Sequence, residues 1–176
     1  MKRTNIIRGH GFILRPLKKS DYKILANKIN DRGIYRNTLN IPFPYTPAYA
    51  KKWLNKVIKQ YQHKPVTGFH LAIVIASELA GCVSLMKIEK NHKAELGYWL
   101  AREHWGQGIM SKAVAAMVKL GFGTFRLKKI YAYVFVENTG SYRVLIKNGF
   151  KKEGLLIQNV KKDGKLKDEF ILAKYT

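Results

Sequence analysis

Ala94-Glu-Leu-Gly-Tyr-Trp-Leu100, followed four residues later by Trp105-Gly-Gln-Gly-Ile-Met-Ser111, is the stretch on which the reading of this chain turns. The first part is an apolar run with strand character. The second opens on a Gly-x-Gly turn, after which residues 110–122 repeat their apolar positions at helical spacing. A strand, a tight glycine turn and a helix in that order aim several backbone N–H groups at one point. The positive end of the helix dipole adds to them, a combination suited to a phosphate. The stretch therefore predicts a site for a phosphorylated cofactor.

Two common phosphate motifs fail on count. A P-loop starting at Gly106 needs its second glycine where Ser111 stands. A dinucleotide-binding turn needs a third glycine at that same position and an acidic residue about twenty positions on. That neighbourhood reads Thr124-Phe-Arg-Leu-Lys-Lys129. On this motif alone, glycines that merely make a tight strand-to-helix turn remain open.

Outward from this stretch, alternation and turn residues predict strands at 69–75, 81–87 and 94–100, joined by short connections and so antiparallel. Residues 6–17 read as a first strand ending at Pro16. Ser20-Asp21 reads as a helix cap, with Tyr22, Leu25, Ala26 and Ile29 on one face. Leu39-Asn-Ile-Pro-Phe-Pro-Tyr-Thr-Pro47 reads as an ordered loop, and Trp53, Leu54, Val57, Ile58 and Tyr61 follow at helical spacing. Beyond the glycine turn come a helix over 110–122, a strand over 130–136 and a helix from Asn138-Thr-Gly-Ser141 to Gly149. A last hairpin, 151–160 with 169–175, turns about Asp163-Gly164. Strand, helix, strand makes a right-handed crossover with parallel strands. The fold class expected is a mixed α/β sheet of about seven mostly antiparallel strands, flanked by helices. Its parallel junction lies at the Gly-x-Gly turn, where a ligand cleft belongs.

At 176 residues and 47% hydrophobic, the chain reads as one domain spanning 1–176. No apolar run is long enough for a bilayer, no membrane partner is expected, and the first residues lack a secretory apolar core. The single cysteine, Cys82, sits in an apolar strand and reads as packing, which points to the reducing cytoplasm. His10, His63, His70, His92 and His104 never approach metal-ligand spacing, so no metal is expected. Lys and Arg number 33 against 11 Asp and Glu, a net charge of +22. Such a field draws RNA, ribosomes or a polyanionic cofactor, although the lysines are spread in pairs as on a solvated surface.

The stretch 94–111, together with Asn138-x-x-Ser141 and Lys147-Asn-Gly-Phe150, resembles the GNAT acyl-CoA-dependent N-acetyltransferases. Trp105-Gly-Gln-Gly, Gly97-Tyr-Trp99, Pro42-Phe-Pro-Tyr-Thr46 and Phe12-Ile-Leu-Arg-Pro-Leu17 are similar to the RimJ/RimL type, the ribosomal-protein N-terminal acetyltransferases. The resemblance implies parallel strands that splay apart, with the pantetheine of acetyl-CoA between them. It implies backbone pairing by Trp99, Leu100 and Ala101, and a pyrophosphate held by the amides of Gly106, Gln107, Gly108, Ile109, Met110 and Ser111. It also implies a pantetheine hydrogen bond from Asn138. Two positions depart from the family pattern. Met110 is bulkier than the usual small residue, and Leu145 stands where many members carry the tyrosine that protonates the leaving thiolate.

Acetyl transfer to an amine needs a base, because an alkyl ammonium near pKa ten is almost wholly protonated at neutral pH. Glu95 is the candidate. Strand alternation puts it on one face with Gly97 and Trp99, and it matches the base glutamate of histone-acetylating GNATs; a cross-strand ion pair with Lys87 or Lys93 is the alternative. A backbone N–H near Trp99 would meet the oxyanion. Ser141 is placed to hydrogen-bond the coenzyme A sulfur, or else, like Asn138, to cap its helix. Tyr98 faces away from Glu95 and reads as core. Tyr35, Phe43 and Tyr45 fall where relatives shape the acceptor pocket, unless they anchor the loop. The expected enzyme is an acyltransferase taking acetyl-CoA to a primary amine, foremost a ribosomal or other protein N-terminus. The alternatives are a polyamine, aminoglycoside or amino acid acceptor, and a non-catalytic RNA- or ribosome-binding module. A homodimer is left open.

Overall fold

Gly11, at φ +79°, reverses the chain, so the expected strand over 6–17 is instead a hairpin of β1 (Ile7–Gly9) and β2 (Phe12–Pro16). The computed structural model describes residues 7–9, 11–61 and 65–176; Ile6, His10 and His63 lie outside them. This hairpin raises the expected seven strands to eight. The others are β3 (Gly68–Ile75), β4 (Glu78–Glu89), β5 (Lys93–Leu100), β6 (Lys129–Phe135), β7 (Lys151–Lys162) and β8 (Lys165–Tyr175). They form one sheet in the order β1-β2-β3-β4-β5-β6-β8-β7, antiparallel except for the β5–β6 pair.

Period-two alternation sorts the side chains of β5 between two apolar layers. Leu96 and Leu100 pack with α4 (Ile109–Thr124), the crossover helix, and with Leu145 of α5 (Thr139–Lys147). Trp99 packs on the other side with Leu25 of α1 (Tyr22–Ile29) and Leu54 and Val57 of α3 (Pro47–Gln60). Cys82 is buried in this second layer as packing, and burial pushes its thiol up to about 12.

Local signals explain the helix starts with one exception. Thr46 Oγ1 caps α3 by accepting from Tyr49 N at 3.3 Å, with Pro47 in the first turn. Asp21 makes no such cap on α1. Its carboxylate instead takes a two-pronged contact from Arg15, 2.8 Å on each oxygen, and a further 2.8 Å bond from Lys18 N. The short helix α2 (Arg32–Arg36), which no periodicity announces, also starts at a local cap: Asp31 Oδ1 accepts from Gly33 N and Ile34 N. No described helix is long and apolar enough to cross a membrane.

Candidate functional site

The two central strands part company. Parallel pairing of β5 with β6 covers only Lys93↔Lys129, Ala94↔Ile130 and Glu95↔Tyr131. Each strand then follows its other neighbour: β5 stays on β4 up to Leu100, and β6 stays on β8 up to Phe135. A gap opens between them. Ala101 N–H donates to Ala80 O at 2.7 Å, towards β4. Antiparallel alternation then turns the backbone groups of Trp99 and Gly97 the same way, and those of Leu96, Tyr98 and Leu100 towards the gap. Of the trio Trp99, Leu100 and Ala101, only Leu100 faces the opening, and its C=O accepts from Trp105 Nε1 at 2.7 Å. Tyr98 is the second residue on that edge.

At the end of β5 the chain bends through Gly106 and Gly108, at φ +75° and +73°. An L-residue is strained there, yet a Cβ at either position would meet no protein atom within 4 Å. The amides of Gly106, Gln107, Gly108, Ile109, Met110 and Ser111 have no acceptor among the described residues; the first helical bond of α4 is Lys112 N to Gly108 O at 3.2 Å. No acidic residue occupies the first turn to offset the helix dipole. Gln107 donates its side chain to Glu103 O at 2.9 Å. Ile109 and Met110 are buried in the apolar layer below, so the bulk of Met110 is spent on the core and not on the bend.

The other lip of the gap is the start of α5. Asn138 Oδ1 accepts from Ser141 N at 3.0 Å, a cap, while its Nδ2 donates to Asn37 O at 3.2 Å. Ser141 Oγ lies 2.7 Å from Tyr98 Oη, a contact between residues from opposite lips. Burial pushes the Tyr98 phenol up, which keeps it protonated. Leu145 is fully buried in the core.

Glu95 lies on the opposite face of the sheet, with its side chain 18% exposed and Lys87 Nζ 2.7 Å from Oε2. That approach is not aligned as a hydrogen bond, and Oε2 has no other partner among the described residues. Tyr131 is its neighbour on β6, and burial, then the Glu95 charge, pushes that phenol up. Glu169 of β8 shares this face; it is buried, accepts from Asn159 Nδ2 at 2.7 Å, and burial raises its carboxyl. Tyr35 and Phe43 stack at 5.6 Å, and Tyr35 hydrogen-bonds Asp163 at the tip of the β7–β8 hairpin. Lys162 Nζ sits 3.7 Å over the Tyr35 ring. Tyr45 is apart from them: it is buried among α1 and α3 residues as a loop anchor, with its phenol pushed up to about 12 by burial.

The strand gap and glycine bend can be set beside known proteins. The profile of the Acetyltransferase (GNAT) domain family matches residues 12–151. The chain belongs to this family. It is 39% identical over 175 residues, 96% of both chains, to the probable N-acetyltransferase YjcK of Bacillus subtilis (strain 168). It is 40% identical over 82 residues, 46% of each chain, to the ribosomal-protein-serine acetyltransferase of Escherichia coli (strain K12). The spermidine N(1)-acetyltransferase of the same organism is 25% identical over 150 residues, 85% of this chain and 77% of that one. Among solved structures, RimL, the ribosomal L7/L12 α-N-protein acetyltransferase in complex with coenzyme A, superposes with a TM-score of 0.89 at 25% identity, covering 97% of this chain and 98% of that one.

Within this GNAT domain the sequence missed Tyr98, Tyr131, Lys162 and Glu169. Alternation placed Tyr98 correctly on the α4–α5 face, but its hydroxyl partner lies 43 residues away. Lys162 reaches Tyr35 because the hairpin tip meets α2, a contact spanning 128 positions, and Glu169 comes alongside through the pairing of β8 with β6; no local pattern encodes either.

Proposed function

We propose that this protein is an acetyl-CoA-dependent N-acetyltransferase whose preferred acceptor is an α-amine, of a protein or peptide N-terminus. The observation that carries the reading is the set of six acceptor-free amides from Gly106 to Ser111 beside a strand edge left open by its neighbour. Those amides and the uncompensated end of α4 suit the pyrophosphate. The Tyr98 edge groups and the Leu100 N–H suit the pantetheine amides, with Asn138 on the facing lip. Bound acetyl-CoA would supply the acyl thioester.

The chain's own groups then divide the work. Glu95 takes a proton from the acceptor amine as it attacks. A gap-facing N–H, of Tyr98 or Leu100, meets the oxyanion. Ser141, whose Oγ shares a 2.7 Å contact with Tyr98 Oη in which either atom can donate, hydrogen-bonds the departing thiolate, and solvent supplies its proton. Tyr35 and Phe43, with the hairpin tip, border the acceptor's approach. A spermidine enzyme matches at 25% over a longer stretch of 150 residues, while the 40% identity to a ribosomal-protein-serine acetyltransferase over 82 residues supports the α-amine. So does the +22 charge, which disfavours a polycation and favours a ribosome-like anionic neighbourhood in the cytoplasm. Glu95 and Glu169 on the acceptor face support a small cationic amine as the second reading.

Titration calorimetry with acetyl-CoA, followed by thiol release with N-terminal peptides and with spermidine, tests the proposal. Saturable binding below millimolar concentration and faster release with peptides are expected. Absence of acetyl-CoA binding would end the reading, and release with spermidine alone would transfer it to small amines.

A further inference from the structure

A cavity of about 330 Å³ opens between α3 and strands β3 and β4, on the same face of the sheet as Glu95. Trp53 forms one wall and Met86 another, and polar groups come from Lys56, Gln60, His70 and Lys87. His70 is not a free ligand group. Its Nε2 lies 3.1 Å from Gln60 Oε1, which only accepts, so Nε2 carries the proton and Nδ1 accepts from Ser84 Oγ at 2.8 Å. Burial first, then the Lys56 charge, lowers the imidazole to about 4, so the ring is neutral near pH 7. The cations left on the cavity are Lys56 and Lys87, and no described carboxylate lines it. Trp53 meets the His70 ring edge-on at 5.8 Å, which holds the cavity's inner wall in place.

Lys87 joins this cavity to the proposed base. Its ammonium lies 2.7 Å from Glu95 Oε2, off the hydrogen-bonding direction, and its side chain is 69% exposed. Lys87 is the exposed half of this pair and Glu95 Oε2 the buried half, so whatever displaces Lys87 must itself bring a cation to the carboxylate. A molecule carrying an ammonium and a carboxylate close together replaces both halves of it at once. Its ammonium takes the place of Lys87 on Glu95, and its carboxylate takes the place of Glu95 on Lys87. Lys56, lining the same cavity, adds a second cation to that carboxylate.

We infer, building on the N-acetyltransferase reading, that the acceptor bears a carboxylate close to its reacting amine and that the cavity beside Lys56 and Lys87 receives it. The carboxylate comes either from the acceptor's own α-carboxyl, as in a free amino acid, or from an acidic second residue of a peptide. A polyamine meets only half of this arrangement and faces two like charges.

The test is calorimetry on the protein saturated with coenzyme A, comparing each carboxylate acceptor with its uncharged twin. One arm sets serine against serinamide; the other sets amidated Ser-Glu against amidated Ser-Gln. The carboxylate form is expected to bind about tenfold more tightly in one arm, which identifies its source, and the ratio should shrink as salt is raised. Lys56→Gln, an exposed helix position, should bring that ratio close to one with coenzyme A affinity intact, while Lys56→Arg should keep it. A ratio near one in both arms, a ratio unchanged in Lys56→Gln, or no binding of any of the four overturns the inference. Thiol release in the same preparation with another amine would leave the enzyme reading standing, whereas loss of coenzyme A binding would remove both.

Discussion

The bend from Gly106 to Ser111 and the wall around Glu95 flank the same strand, yet they are made of different material. The bend is backbone: two left-handed glycines, six free amides, and side chains such as Met110 turned into the core. The wall is side chains drawn from distant segments: Glu95 from β5, Lys87 from β4, Tyr131 from β6 and Glu169 from β8. A backbone site depends on local geometry, so neighbouring residues specify it. A side-chain site depends on which strands end up adjacent, so the whole topology specifies it. The first can stay constant while the second is altered piece by piece.

The sharpest way to break this contrast is Glu95→Gln. Loss of a general base costs about a hundredfold or more in turnover, with acetyl-CoA affinity unchanged because Glu95 is no part of the bend. Unaltered turnover would move the base elsewhere on the wall. A second effect belongs to the wall's buried floor. The folded pKa of His70, about 4, lies below its ordinary 6.5, so the unfolded chain protonates first as pH falls. Stability should be intact above pH 6.5 and decline from there towards pH 4, by about 3 kcal/mol at full amplitude. His70→Gln should flatten that limb in urea titrations across the range. An unchanged limb would show that the imidazole titrates freely. The smallest effect is on the bend. Gly108→Val forces a β-branched residue to positive φ at a cost of about 1–3 kcal/mol, and its Cβ projects into space the protein leaves empty. Acetyl-CoA affinity should drop about tenfold with turnover at saturation little changed. A fall in turnover with affinity preserved would reverse the two assignments.

This difference in material also explains what could be read from the chain. The strand, Gly-x-Gly turn and helix lie within 94–111, and the structure reproduces the order and the crossover they predict. Elements with strong periodicity, such as α3, α4 and β3 to β5, fall where alternation put them. The first strand split because one glycine reversed the chain, and Asp21 was taken from its helix by Arg15, a partner that no spacing rule announces. The backbone edge is harder to read than the side-chain faces, because alternation fixes those faces, whereas the direction of a C=O or N–H depends on register with β4. Tyr45 looked like Tyr35 and Phe43 in the sequence; only burial separates the anchor from the two rings at the hairpin tip.

The five-residue helix α2 has a consequence for solubility. It touches both lips of the gap: Arg102 NH1 approaches Asp31 at 3.8 Å on one side, and Asn138 donates to Asn37 O on the other. An interrupted ladder displays unpaired peptide groups, the template on which foreign strands add during aggregation. By bracing both lips at one end, and with Trp105 occupying the Leu100 carbonyl, the chain leaves fewer free groups on that edge for a foreign strand to pair with.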